Sequence, residues 1–252
     1  MSDHHTRVSC DRSTRKHQQL QPRRVLVYPR LEQRKIITWI GYLNCCSIGN
    51  KYSVVSDCIT SRGFSFFVTV ETWHESADCP SVIACIPGHC IEHARNRPAR
   101  DALNTKTNHG GICLFHRTRY TVRHLKLPSF KFMEQMTVQI QGSSVNFVLV
   151  IVYRLGSKAA TSVFFDDFAN RVERLAVYMA PVVVVGNIKL YLEDQSTLST
   201  VKFQDILDGA DLIPHAVGPT HRAGHTLDVV ISQRTTRGTI HVDPSSSPIT
   251  RW

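Results

Sequence analysis

The sequence predicts an α/β domain, in which helices and strands alternate and pack in layers on a mixed sheet. Val182 to Val185 is a run of four valines, which is typical of a strand buried on both faces. Residues 145–153 can form a central strand, and the polar residues 141–144 can turn the chain into it from an alternating strand at 136–140. A hairpin beside strand–helix–strand units favours a sheet that is mixed rather than all parallel.

The other elements are predicted from the periods of helices and strands. In chain order they are a strand over residues 36–44, a helix from Tyr52 capped at Gly63, a strand over 64–70, a short strand over 112–115, a helix from Ser162 ended by Pro181, a helix over 200–209 and a strand over 227–231. Residues 76–110 have no clean period and predict a long loop region.

Two apolar patterns define the predicted helices after residue 160. The first helix has a stripe that consists of Phe164, Phe168, Val172, Leu175 and Met179. Asp166 and Asp167 are expected in its first turn, where the helix dipole favours anions. The second helix is expected to face inward with Phe203, Ile206 and Leu207.

The charge is concentrated at the N-terminus. The 252-residue chain has a formal net charge of +10, and residues 1–38 carry nine Lys or Arg against three acids. Residues 1–35 are polar and lack a helical or strand period, so we expect a flexible basic arm, followed by a folded domain over 36–252. A basic balance suits a polyanionic partner such as nucleic acid.

Several protein classes lack their sequence signals here. The longest apolar run is seven residues, at 147–153, which is too short to span a membrane. No apolar signal core follows Met1, so we expect a nuclear or cytoplasmic protein that is not secreted. Eight cysteines are too few for a disulfide framework, and the common zinc, ATPase and serine-hydrolase motifs are missing.

Polar side chains stand at the ends of five predicted strands. They are Asn44, Glu71, Tyr153, Asn187 and Asp228. Loops at such ends converge on one rim of an α/β fold, where ligands bind. Carboxylates such as Glu71 and Asp228 can bind Mg²⁺ or orient an imidazole.

These residues occur within motifs whose order resembles a known family. The motifs are Leu43-Asn44, Glu71-Thr72-Trp73, Gly110-Gly111, Val152-Tyr153-Arg154 and the stretch Gly-Pro-Thr-His-Arg-Ala-Gly-His-Thr-Leu-Asp at 218–228. Over residues 38–249 the chain resembles the endonuclease/exonuclease/phosphatase domain, and specifically the apurinic-endonuclease-like nuclease of non-LTR (LINE-type) retrotransposons. The resemblance implies a DNase I-like four-layer sandwich of two packed sheets with helices outside. It also implies Mg²⁺-dependent cleavage of DNA, with no other small-molecule cofactor, to make the nick that primes reverse transcription.

The resemblance also implies roles for individual residues. Glu71 would bind the metal, Asn44 would support the metal and phosphate site, and Tyr153 would contact the scissile phosphate. Asp228 would orient a catalytic His. The residues expected to contact DNA are Arg154, His221, Arg222 and His225, although the three in the 218–228 stretch could equally form a polar loop that only shapes the turn.

Two departures from the family pattern affect the expected chemistry. Where the family has Gly-Asp-Phe-Asn, this sequence has Asn187 and Lys189 in place of the Asp and the second Asn. An amide at 187 cannot take a proton from water. Where Ser-Asp-His should follow Pro248-Ile249, the sequence reads Thr250-Arg251-Trp252, which implies an incomplete last strand and no His partner for Asp228.

Alternatives remain open at this stage. The chain could be a non-catalytic nucleic-acid-binding module, which Lys189 and the basic arm would favour, or a phosphatase of the same superfold. A zinc site formed by Cys79, Cys85, Cys90 and His93 is disfavoured, because the spacing matches no known knuckle. Trp73 is interpreted as a packing residue more readily than as a base-stacking one.

Overall fold

The computed structural model describes residues 23–27, 38–49, 51–74, 86–94, 110–128, 130, 133–154, 159–215, 218–221 and 224–234. Within these ranges the chain forms two β-sheets and three helices. Among these helices, none combines the length and apolar character that a membrane-spanning helix needs.

The first sheet has five strands in the order β1-β2-β3-β5-β4. The strands are β1 (Arg23–Val27), β2 (Thr38–Asn44), β3 (Phe66–Val70), β4 (His89–Ala94) and β5 (Ile112–Arg117). Only β2 and β3 run parallel, and the other neighbours are antiparallel. The sheet is therefore mixed, as predicted.

The second sheet has six strands in the order β10-β11-β9-β8-β7-β6. The strands are β6 (Thr121–His124), β7 (Met133–Gly142), β8 (Val145–Arg154), β9 (Val182–Asn187), β10 (Leu212–Pro214) and β11 (Asp228–Gln233). β8 and β9 form the parallel pair, while β7 and β8 form the predicted hairpin with Gly142 opposite Val145.

Three apolar clusters arrange these elements as four layers. Side chains of both sheets, such as Phe66 and Ile151, meet in one buried cluster between the sheets. A second cluster packs α2 (Ser162–Ala176) and α3 (Leu198–Gly209) against the outer face of the second sheet. A third packs α1 (Tyr52–Arg62) against the outer face of the first. The predicted α/β fold with two mixed sheets flanked by helices is confirmed.

The structure corrects several element predictions. β1 lies inside the segment expected to be a flexible arm, because its backbone pairs with β2; the rest of residues 1–35 lies outside the described residues. β4 lies inside the predicted 76–110 loop and pairs with β5, and the sequence also did not predict β6 or β10. These short edge strands are held by neighbouring strands rather than by a period of their own.

Smaller corrections concern α2. The helix ends at Ala176, before Pro181, and Met179 lies beyond it, fully exposed. Its first turn holds no acid, so Asp166 and Asp167 fall one turn later than predicted. Gly63 does adopt the left-handed conformation expected of a C-cap, with φ 65°.

Strand register brings the polar strand ends together. Asn44 pairs with Val70, the residue before Glu71, across the parallel β2–β3 pair. In the other sheet Asn187 lies between Tyr153 and Asp228. Both sheets therefore present their predicted site residues at strand ends, and the Tyr42 hydroxyl of β2 donates to Oδ1 of Asp228 across the sheets at 3.0 Å.

Candidate active site

The rim formed by these strand ends has unusual backbone geometry. Five of its non-glycine residues have positive φ, at Cys46, Ser47, Glu71, Trp73 and Lys189, with values from 43° to 86°. Positive φ is uncommon for residues with a Cβ, and such conformations concentrate at functional sites because they cost free energy. The rim therefore concentrates strained conformations, and its role as the functional site stays a prediction.

Glu71 lies at the centre of a network of polar side chains. Its Oε1 accepts a hydrogen bond from Nδ2 of Asn44 at 2.9 Å and lies 3.4 Å from Nζ of Lys189. The thiol of Cys46 lies 3.4 Å from Oε2. The carboxylate is only 9% exposed as a residue, so the Lys189 ammonium is its immediate counter-ion.

Tyr153 joins the same network from the second sheet. Its hydroxyl lies 3.1 Å from Nζ of Lys189, and the ammonium also stands 4.9 Å from the centre of the tyrosine ring. Burial raises the pKa of the Tyr153 phenol well above its usual value, and the negative charge of Glu71 adds to the rise. Tyr153 is therefore a neutral hydrogen-bonding group here.

Asp228 has partners of a different kind. Its Oδ1 accepts from Nδ2 of Asn187 at 2.8 Å as well as from the Tyr42 hydroxyl. Its main-chain N–H donates to Oγ1 of Thr220 at 3.0 Å, and that of Leu227 does so at 2.8 Å. Thr220 thus fixes the start of β11, a role within the 218–228 motif that the sequence analysis did not assign.

Two buried cations hold the loops of the rim. Nζ of Lys51, at the start of α1, donates to the carbonyls of Cys45 and Cys46 at 2.5 and 3.0 Å. Arg154 is 5% exposed, and its guanidinium donates to the carbonyls of Ile188 and Lys189 at 2.6 and 2.7 Å. Arg154 therefore holds the Lys189 loop through two main-chain carbonyls, and its expected contact with DNA stays a prediction.

The Gly110-Gly111 motif has a steric cause. Gly111 has φ 101°, and a Cβ there would collide with the Thr72 hydroxyl. A Cβ on Gly110 would collide with the buried carboxylate of Glu134, which accepts a hydrogen bond from the Gly111 N–H. The N–H of Trp73 donates to the Gly110 carbonyl at 2.8 Å, so the two glycines bring β5 close behind Glu71.

The residues present do not fit Mg²⁺. Mg²⁺ takes near-octahedral oxygen ligands, usually one or two protein carboxylates with the remaining positions filled by water; in the described ranges no three His, Cys, Asp or Glu side chains lie together. The oxygen Oε1 of Glu71 that faces the rim is already shared by the Lys189 ammonium and the Asn44 amide. A divalent cation would have to displace Lys189 or accept its repulsion.

The remaining predicted residues lie on the loop before β11. His221 and His225 are on the surface there, and Nδ1 of His225 lies 2.6 Å from Oε1 of Glu193. Arg222 falls outside the described residues, as do Cys79 and Cys85. Cys90 and His93 lie on β4, where residues three apart point to opposite faces of a strand.

Comparisons with known proteins address the fold. No family model matches the sequence, and no curated protein matches it. The AP endonuclease LMAP from Leishmania major is similar in structure, with a TM-score of 0.58, 10% identity and coverage of 82% of this chain and 84% of that one. The chain therefore has a DNase I-like fold.

Two further solved structures share this fold. The human Nocturnin catalytic domain with bound sulfate has a TM-score of 0.56, 13% identity and coverage of 82% and 87% of the two chains. The endonuclease domain of TRAS1, a telomere-specific non-LTR retrotransposon, has a TM-score of 0.55, 12% identity and coverage of 84% of both chains. The structural neighbours are thus endonuclease/exonuclease/phosphatase proteins and include a retrotransposon nuclease, though such low identities show the fold alone.

Proposed function

We propose that this chain is a DNA-binding domain derived from a retrotransposon endonuclease, whose site no longer hydrolyses phosphodiesters. The observation that carries the proposal is the ion pair between Lys189 and Glu71, with Nζ 3.4 Å from Oε1. An ammonium at this carboxylate cancels the negative charge that would otherwise repel a phosphate at the rim. It also removes the free carboxylate that a catalytic divalent cation would need.

Loss of hydrolysis follows from a second feature as well. Hydrolysis needs a group that takes a proton from the attacking water, and the amide of Asn187 cannot do so. That amide instead donates to Asp228, which holds the carboxylate as an acceptor. Loss of a general base alone typically lowers a rate by about 10²–10⁴-fold.

Retained binding is supported by charge. The chain carries a net +10, and a basic protein gains affinity for DNA by releasing counterions from phosphates. The likeness to the TRAS1 endonuclease domain and the 218–228 motif both favour a retrotransposon origin. A DNA-binding protein of this origin acts in the nucleus or the cytoplasm, which a fluorescent fusion would test.

A salt titration tests binding. We expect the affinity of the full chain for a labelled 20-base-pair duplex to fall linearly on a log–log plot, by about 0.9 per phosphate contact. Lys189→Met should weaken binding and flatten the slope by about one contact. Lys202→Met is the matched control, since this lysine lies on α3 against the Phe165 ring and should leave the slope unchanged. Absence of salt-dependent binding by the unmodified chain would contradict the proposal.

A nicking assay tests the loss of hydrolysis. The chain should leave supercoiled plasmid intact in Mg²⁺ to the same extent as in EDTA. Glu71→Gln is the control, because contaminating nuclease would survive this substitution whereas activity of this site would not. Mg²⁺-dependent nicking that Glu71→Gln abolishes would overturn the proposal.

The origin has its own test. Genomic DNA beside the coding segment should contain a reverse transcriptase frame or its remnants. An intact gene of unrelated type in all genomes that carry this chain would contradict a retrotransposon origin while leaving the binding proposal in place.

A further inference from the structure

A group of aromatic rings lies on the surface beside the rim. Tyr191 follows Lys189 by two residues and is 53% exposed, one of the few large apolar side chains open to solvent in the described ranges. Its ring centre is 4.2 Å from that of His225, at an interplanar angle of 37°. The rings of His225 and His221 lie nearly parallel, 6.5 Å apart at 19°. We call Tyr191, His221 and His225 the ring cluster.

Hydrogen bonds fix the ring cluster in place. Nδ1 of His225 lies 2.6 Å from Oε1 of Glu193, and Oε2 of the same carboxylate accepts the Thr226 N–H at 2.8 Å. Burial opposes ionisation of Glu193, but these hydrogen bonds outweigh it and lower the pKa of the carboxyl. The glutamate is therefore ionised and spans the two loops that carry the rings.

The backbone supports the same geometry. The His225 carbonyl accepts from the N–H groups of both Thr220 and His221 at 2.8 Å, which closes the turn that bears the two histidines. The Tyr191 carbonyl accepts from Oγ1 of Thr200 on α3 at 3.2 Å. A ring that is already ordered loses little conformational entropy when a ligand stacks on it.

We propose that Tyr191, backed by His225, is a stacking surface for an unpaired nucleobase of bound DNA; this rests on the proposed function. An exposed aromatic ring beside a lysine is the arrangement by which proteins bind single strands, with bases on rings and phosphates near cations. Lys189 supplies the cation, two residues before Tyr191. The ring cluster lies on the loops that continue from Asn187 and lead into Asp228, so we expect a strand bound at the rim to come within reach of the exposed ring.

The test compares two single strands with equal phosphates. One is a labelled 12-nucleotide DNA, and the other is the same length with all bases replaced by abasic sites. Tyr191→Ala should weaken binding of the first by about tenfold or more, a typical loss for one stacked base, and leave binding of the second unchanged. Tyr191→Phe retains the ring and should bind both strands as the unmodified chain does.

A fluorescent base gives an independent measurement. Stacking should quench 2-aminopurine in the 12-mer on binding, and Tyr191→Ala should reduce the quenching. Equal binding of the 12-mer by Tyr191→Ala and the unmodified chain would overturn the inference while leaving DNA binding intact. Equal weakening toward the abasic strand would also overturn it, since the contact would then be to the backbone. If the unmodified chain binds the 20-base-pair duplex but neither single strand, the inference fails and the proposed function stands. If it binds none of the three, the proposed function itself fails.

Discussion

Two carboxylates on the same rim have opposite surroundings. Glu71 and Asp228 are 9% and 8% exposed and both follow or begin a buried strand. Glu71 is paired with the Lys189 ammonium, whereas Asp228 accepts hydrogen bonds from the neutral Asn187 amide and Tyr42 hydroxyl. Equal burial therefore does not mean equal chemistry, because the partner determines whether a carboxylate is neutralised or held as a hydrogen-bond acceptor.

The largest expected change in the free energy of unfolding comes from substitution of Asn187, whose neutral amide donates to Asp228. Asn187→Asp would place a second carboxylate where the amide now lies, 2.8 Å from Oδ1 of Asp228. Two carboxylates this close cannot both ionise without cost, so one pKa rises above its unfolded value. The free energy of unfolding should fall by about 3 kcal/mol at pH 7.5, begin to recover as the pH drops through the raised pKa at about 6, and be fully recovered below about pH 4.

Urea unfolding at several pH values measures this effect. The double variant Asn187→Asp with Asp228→Asn exchanges the two groups and restores one carboxylate beside one amide. It should recover most of the loss at pH 7.5. A single variant as stable as the unmodified chain at pH 7.5 would show that the Asp228 environment can accept a second charge.

Breaking the ion pair between Lys189 and Glu71 should lower the free energy of unfolding by about 2 kcal/mol. Lys189→Met leaves Glu71 without its counter-ion, and breaking a buried pair costs more than breaking an exposed one. The side chains are 23% and 11% exposed, which places this pair between those cases. Glu71→Gln combined with Lys189→Met should restore part of the stability, and a double-mutant cycle measures the coupling. Strictly additive losses would mean that the two charges do not interact.

The reactivity of the Cys46 thiol should depend on the charge of Glu71. Burial, with the Glu71 carboxylate adding to it, raises the pKa of this thiol from 9.0 to about 12. At pH 8 the thiolate of Cys46 should be about 1000-fold scarcer than that of a thiol with a pKa of 9.0. Because a thiolate of higher pKa is more nucleophilic, the alkylation of Cys46 should be slower than that of such a thiol by only roughly 30-fold. Any stability that depends on the neutral thiol should be complete below about pH 9 and be lost as the pH rises toward 12.

Mass spectrometry after iodoacetamide treatment measures this rate. Cys46 and Cys90 are both exposed, so Cys90 on β4 serves as the internal control for access of the reagent. Glu71→Gln should speed alkylation of Cys46 and leave that of Cys90 unchanged. Equal rates at the two cysteines in the unmodified chain would contradict the expected environment.

The smallest effect concerns one hydrogen bond. Tyr42→Phe removes the hydroxyl that donates to Oδ1 of Asp228 at 3.0 Å but leaves the Asn187 amide in place. The free energy of unfolding should fall by about 1 kcal/mol. Tyr120→Phe, at another tyrosine in the core between the sheets, is the control for loss of a hydroxyl elsewhere. A loss as large as that of Asn187→Asp would mean that the hydroxyl, not the amide, holds the carboxylate.

The sequence was sufficient for the elements that have a strong period of their own. The four valines predicted β9, and the alternating residues before a polar turn predicted the β7–β8 hairpin, because local patterns report which face is buried. β4 and β6 could not be predicted in this way. They are held by pairing with β5 and β7, and nothing in their own residues requires a strand.

Some features of the site could also be predicted from the sequence, and others could not. The sequence by itself determined which polar residues end the strands, and it determined that an amide and a lysine stand at 187 and 189. Only the tertiary structure decided that Lys189 meets Glu71, which is 118 positions away, and that Arg154 donates hydrogen bonds to main-chain carbonyls. The reason is physical: a residue's type fixes what bonds it can make, but strand register and loop conformation fix which partner lies within reach.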